Sequence, residues 1–284
     1  MQIECDDLTL HAAVDGPEGS PVVLMLHGIT SSVRTWNEVV PHLEGRYRIV
    51  RLDFRGHGKS DRDSSYGLAG WLDDAIATCE AIGQPVLVVG HSLGGVTAAA
   101  LAQHRPDLVR AVVLEDPPLS AARPRADNSL MDVFRLMRES IPRVQANNVP
   151  AAVLADILAK GPTATGPLMG ELLRPATIDA MAESMLEVDA AVLDPVVGPQ
   201  SADVPLVTTF DPDAPVPVPT LVLAADPSQP DCVATADAVA QFRQLNPTAE
   251  VVVVEGAGHL IHESKAHHDD FVQRTVDFLN RQSA

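Results

Sequence analysis

A mostly parallel α/β sheet, covered by helices on both faces and interrupted by one long helical insertion, is the fold this sequence predicts. Three observations lead there. Apolar, β-branched runs alternate with helix-patterned segments through the first 116 residues. The alternation then stops, and residues 117–215 contain no convincing strand before Pro205. It resumes at PTLVLAAD (219–226) and EVVVVEG (250–256). Continuous apolar strands separated by helices are the pattern of a parallel sheet buried on both sides.

In chain order, MQIECDD and LTLHAAV read as two short strands forming a hairpin. PVVLMLHG (21–28) and YRIVRLDF (47–54) are buried strands. GLAGWLDDAIATCEAIG (67–83) has helical spacing and stops on Gly83, a residue suited to a left-handed C-terminal cap. PVLVVG (85–90) and LVRAVVLE (108–115) are strands flanking the helical AALAQHRP. Within the insertion, helices are expected at 129–146, 150–160 and 176–192, and DPDAPVPVP (211–219) is a stiff return to the core. Further helices are expected at 233–244 and 266–281. The expected division is a core of residues 1–116 and 216–284 around an insertion of 117–215.

Bulk properties narrow the function. With 284 residues and 46% hydrophobic content, the chain can bury a core and suits one large domain with an insertion. A net charge of -18 opposes a nucleic-acid role, which needs a basic face. Three widely spaced cysteines, Cys5, Cys79 and Cys232, with no CxxC, predict neither a disulfide framework nor a zinc site. The N-terminus lacks the pattern of a signal peptide, and no apolar stretch is long enough to span a bilayer. A cytoplasmic protein without a membrane role is expected.

The chemistry concentrates in Gly90-His91-Ser92-Leu93-Gly94, a G-x-S-x-G placed where a strand gives way to a helix. A sharp turn there lifts the serine hydroxyl above the sheet, and glycines allow neighbouring backbone to approach. Ser92 then sits at the positive end of the following helix, where the Leu93 N–H has no intrahelical partner. A serine hydroxyl needs a base. His259, on the loop after EVVVVEG, is the choice among ten histidines. His262, three residues on, lacks the acidic pattern of a metal pair and reads as support or packing. For the acid that orients the base, Asp226 is preferred because it ends its strand and gives the order Ser92, Asp226, His259. Asp116 and Asp231 are the alternatives. The loop after LMLHGIT brings the Ile29 N–H to join that of Leu93 as the oxyanion donor pair.

On these pieces the chain resembles the α/β-hydrolase superfamily, most closely its small esterase, lactonase and cofactor-free haloperoxidase branch. LHGITSSVRTW (26–36), DFRGHGKSD (53–61), GHSLGG (90–95), the loop at 226 and GAGH (256–259) carry the resemblance. It implies an eight-stranded, mostly parallel sheet with the insertion after the sixth strand forming a helical cap over Ser92. It also implies that DFRGHGKSD is a structural loop. Many relatives carry Gly-x-x-Asp in the acid loop, whereas this chain reads Ala224-Ala225-Asp226-Pro227.

Five of seven methionines, Met131, Met137, Met169, Met181 and Met185, fall in the insertion, and its clear aromatics are Phe134 and Phe210. Met adapts to irregular apolar ligands, so a mainly aliphatic pocket is expected. The expected activity is hydrolysis of small to medium, uncharged esters through an acyl-enzyme, without cofactor or metal. Lactone hydrolysis, carbon–carbon bond hydrolysis and perhydrolysis use the same groups, and a ligand receptor with little turnover is the rival from another class. The expected partner is the small-molecule ester or lactone, with assembly as a homodimer left open.

Overall fold

In the computed structural model, which describes residues 1–120, 128–163, 166–197 and 209–283, eight strands form one sheet. They are β1 (Gln2–Cys5), β2 (Leu8–Asp15), β3 (Val22–Leu26), β4 (Arg48–Asp53), β5 (Val86–His91), β6 (Val109–Glu115), β7 (Thr220–Ala224) and β8 (Glu250–Val253), in the order β1-β2-β4-β3-β5-β6-β7-β8. The N-terminal hairpin is antiparallel, as is the pairing of β2 with β4, and every other pairing is parallel. β3, β5 and β7 are buried at every position, which explains why their sequences run apolar without alternation.

Helices α1 (Leu68–Ile82), α2 (Leu93–His104), α8 (Ala236–Leu245) and α9 (His268–Gln282) belong to the core. Gly83 ends α1 in the left-handed conformation, φ 75°, with its N–H on the Cys79 carbonyl. Two apolar clusters cover the two sheet faces, one around Leu24, Trp71 and α2, the other around Met25, Trp36 and Phe271.

Between β6 and β7 lie α3 (Ser129–Ala146), α4 (Ala151–Ala159), α5 (Met169–Leu172), α6 (Pro175–Glu187) and α7 (Asp194–Val197). Pro205 and parts of the expected insertion lie outside the described residues. Ile141, Leu154, Ile178, Met185 and Val188 join the same apolar cluster as α2, so these helices share the core's packing. The helix expected over 176–192 is broken. It ends at Glu187, Val188 is extended, and the Asp189 carboxylate accepts the Ala191 N–H to start a new 3-10 turn at Ala190–Leu193. A carboxylate that competes for backbone N–H groups ends one helix and caps the next.

DFRGHGKSD is structural, as the resemblance implies. Buried Asp53 accepts from the Val33 and Lys59 amides and from His11, and Arg55 pairs with buried Asp74. Cys5, Cys79 and Cys232 are all buried. No helix among the described residues is long and apolar enough to cross a membrane.

Backbone crosses backbone closely beneath Ser92. A Cβ on Gly94 would sit 2.1 Å from the Leu26 carbonyl oxygen, and one on Gly90 would sit 2.2 Å from the Gly94 oxygen. Neither neighbour is a flexible side chain. Gly94→Ala is therefore expected to lower stability by about 1–3 kcal/mol in urea unfolding, by forced overpacking. Gly45→Ala, where a Cβ meets open space, stays within about 0.5 kcal/mol of the parent.

Candidate active site

β5 ends at His91, and α2 starts at Leu93. Ser92 bridges them at φ 53°, ψ -113°, a conformation that side-chain-bearing residues rarely adopt. Two backbone bonds hold it there: the Ser92 N–H donates to the Glu115 carbonyl at 2.9 Å, and Val96 N–H to the Ser92 carbonyl at 3.0 Å. The glycine at 28 lets the loop after β3 pass directly beside this turn, since a Cβ there would lie 3.5 Å from the Ser92 Cβ and 2.8 Å from His91 Nδ1. That loop is fixed by Thr30 N–H to His57 Nε2 and Ser31 N–H to the Gly28 carbonyl. The Ile29 and Leu93 amides are not engaged by hydrogen bonds among the described residues.

His259 follows β8 on a tight turn in which Gly256 takes φ 73°. Its Nδ1–H donates to Asp116 Oδ2 at 2.6 Å, leaving Nε2 as the free nitrogen. Burial alone would lower the His259 pKa; the hydrogen bond and charge of Asp116 outweigh it, and the net shift is upward. Neighbouring His91 donates from Nε2 to the His259 carbonyl at 3.1 Å and packs its ring 4.7 Å away. Burial, reinforced by His259 and His262, holds His91 well below the ordinary histidine range, so it stays neutral.

The carboxylate at the base corrects the sequence expectation. Asp116, not Asp226, meets His259. Asp116 leaves β6 at φ 36° with its side chain fully buried. Its Oδ1 accepts the Ala225 and Ala234 amides, and its Oδ2 the Val233 amide, at 3.0–3.1 Å. The loop after β7 thus supplies N–H donors to an acid carried by β6. Asp226 instead accepts from the Ser228 and Gly256 amides and ties its own loop to the turn before His259. Those backbone bonds hold its carboxyl below the usual range. Asp231, the other alternative, accepts the His259 backbone N–H at 3.2 Å and positions the loop rather than the ring.

Sequence reasoning missed a second acid–histidine pair. Glu115, next to Asp116 and fully buried, accepts from the His262 backbone N–H at 2.8 Å and from His262 Nδ1 at 2.7 Å. Trp36, 0% exposed, stacks on the His262 ring with centroids 4.4 Å apart, which places it in the core rather than at the pocket edge. The available signal was the pairing of two adjacent acids, 115 and 116, with two histidines three residues apart.

Ser92, His91 and His259 open into one cavity of about 470 Å³. Phe134, Met137, Met169, Met181 and Met185 line it from the insertion, while Met131 and Phe210 do not. Asp231, Glu171 and Glu263 share the wall with Lys265, whose ammonium donates to the Gly170 carbonyl. Among the described residues no group of His, Cys, Asp or Glu is arranged to hold a metal ion.

A family model for the alpha/beta hydrolase fold matches residues 21–266. The chain belongs to that family. It is 28% identical to the 2-(acetamidomethylene)succinate hydrolase of Mesorhizobium japonicum, over 92% of this chain and 89% of that protein. It is 26% identical to an sn-1-specific diacylglycerol lipase of Mus musculus, over 94% and 83%. The solved enol-lactonase of Burkholderia xenovorans superposes with a TM-score of 0.74 over 99% of this chain and all of that one, at 21% identity. The last of these shows shared architecture. The family match, with the two curated relatives beside it, makes this protein a hydrolase.

A base works only as neutral imidazole. Because Asp116 moves the His259 pKa upward from 6.5, the acid limb of kcat/KM is expected at an apparent pKa above 6.5. Activity should fall as pH drops through that value, and a limb centred below 6.5 would contradict the pairing.

Proposed function

We propose that this hydrolase cleaves carboxylic esters of small to medium, mainly uncharged apolar substrates through an acyl-enzyme. The observation that carries the reading is a strained Ser92 sharing one cavity with a buried His259 whose Nδ1 is held by Asp116. His259 Nε2 takes the Ser92 proton as Oγ attacks the carbonyl carbon. Asp116 fixes the ring's tautomer and balances the imidazolium that forms. The Ile29 and Leu93 amides receive the oxyanion. The same nitrogen returns the proton to the departing alcohol. It then activates water to release the acid. Asp116 takes the place given to Asp226 on sequence alone.

The Met- and Leu-rich walls favour an aliphatic acyl or alcohol part. Charge favours a neutral one: among the described lining residues three carboxyl groups face one lysine already engaged with backbone. A substrate carrying its own carboxylates, such as the succinate in the name of the Mesorhizobium relative, meets repulsion here.

The test is a panel of neutral p-nitrophenyl esters of increasing acyl length, branched esters and lactones, run beside Ser92→Ala. The expected result is a maximum on one short to medium class, with loss of at least about 10³-fold in the variant. Equal turnover by Ser92→Ala would refute the reading. A silent panel with Ser92 still labelled by a fluorophosphonate would replace ester hydrolysis by carbon–carbon bond cleavage or ligand reception.

A further inference from the structure

The second buried pair does not stop at His262. Glu115 occupies His262 Nδ1–H, leaving Nε2 facing Thr35 Oγ1 at 2.8 Å. The Thr35 hydroxyl gives its single proton to Glu263 Oε1. With Glu263 ionised, that hydroxyl accepts from His262 Nε2–H, the arrangement of a doubly protonated ring between two carboxyl groups. The His262 pKa agrees in direction: burial lowers it, and Glu115 more than reverses this.

Glu263 stands where this chain of bonds meets the cavity. It is 4% exposed, and it lines the same space as Ser92 and His259. Oε1 is taken by Thr35, and Oε2 has no partner among the described residues. Burial pushes its carboxyl up, against the opposing pull of His262 and Thr35. Oε2 is therefore the oxygen that keeps access to the cavity, on a carboxyl held from behind through Oε1 and open to a ligand's hydrogen-bonding group in front. In an apolar cavity, a few such groups set a ligand's orientation.

We propose that Glu263 is the polar anchor of this cavity and recognises a hydroxyl group on the acyl or alcohol part of the ester. This rests on the ester-hydrolase reading and narrows its substrate class. A hydroxyl fits Oε2 in either protonation state, donating to the carboxylate or accepting from the acid. A substrate carboxylate would face Glu263, Glu171 and Asp231 together, and an ammonium would be desolvated against Met and Leu. Glu263 acts here on specificity, and bond cleavage remains with Ser92 and His259.

The experiment compares methyl hexanoate with methyl 2-hydroxy- and 3-hydroxyhexanoate, and ethyl hexanoate with 2-hydroxyethyl hexanoate, by pH-stat on the full chain. At least one hydroxylated ester should exceed its partner about tenfold in kcat/KM, mainly through KM. In Glu263→Leu that ratio should fall to about one, while Glu263→Gln, which keeps both donor and acceptor, retains a preference. Each ratio comes from a single preparation, so partial unfolding of a variant does not alter it. If Glu263→Leu does not fold, Thr35→Val should lower the same ratio by freeing Oε1, now 3.8 Å from His262 Nε2. Ratios near one in the wild type, or a wild-type ratio in Glu263→Leu, overturn the inference. Hexanoate esters cleaved in a Ser92-dependent way with flat ratios sink this inference alone. No turnover and no fluorophosphonate labelling of Ser92 sink the hydrolase reading and this inference with it.

Discussion

Two adjacent carboxylates, Glu115 and Asp116, lie fully buried at the end of β6, and the rest of the site depends on satisfying them. A buried charge without partners is strongly destabilising, so each acid needs a cation or several N–H donors within reach. They obtain these on different sides. Asp116 is wrapped by three amides of the loop after β7 and by the His259 ring. Glu115 is bound twice by His262. The Glu115 carbonyl also accepts the Ser92 N–H. Thus the turn at Ser92, the His259 ring and the loop that carries it are all referenced to two consecutive residues at the end of one central strand. Rigid sheet geometry, rather than loop length, sets their spacing.

The same constraint shapes the cavity. Because His262 is locked between Glu115 and Trp36, the segment from His259 to Glu263 cannot swing away from the sheet. One side of the cavity is therefore fixed and polar. The other side, made by α3, α5 and α6, is mainly apolar apart from Glu171 and rich in adaptable methionines. Such a division suits a hydrolase whose chemistry is constant and whose substrate fit is set by the insertion.

Much of this was legible in the sequence. The strands and the core helices were readable because each combines a periodic pattern with a turn residue at a fixed offset, and Ser92 and His259, singled out by their place after strand ends, do meet in one cavity. The carboxylate that bonds His259 was not readable. Asp116 and Asp226 both end apolar strands, and pattern alone does not say which side chain turns toward the base. What decides it is the left-handed backbone at Asp116 and the set of amides converging on it. The departure Ala224-Ala225-Asp226-Pro227 from the common Gly-x-x-Asp was a sign that this loop serves differently. The break at Val188 was hidden too, since Asp189 caps a new turn inside a segment whose periodicity continues. Glu115 read as the last residue of a strand because its partner lies 147 positions away.

The central claim is that Asp116 orients His259 for attack by Ser92. The most direct measurement is kcat/KM of Asp116→Asn beside Asp226→Asn on the best ester of the neutral panel, with both proteins checked for the parent's thermal midpoint. Asp116→Asn should lose about 10³–10⁴-fold, as expected when the base's tautomer is no longer held. Asp226→Asn should lose less than about tenfold, because its carboxylate ties its own loop to the turn before His259 and does not meet the ring. A large loss in Asp226→Asn with Asp116→Asn near wild type would contradict the account.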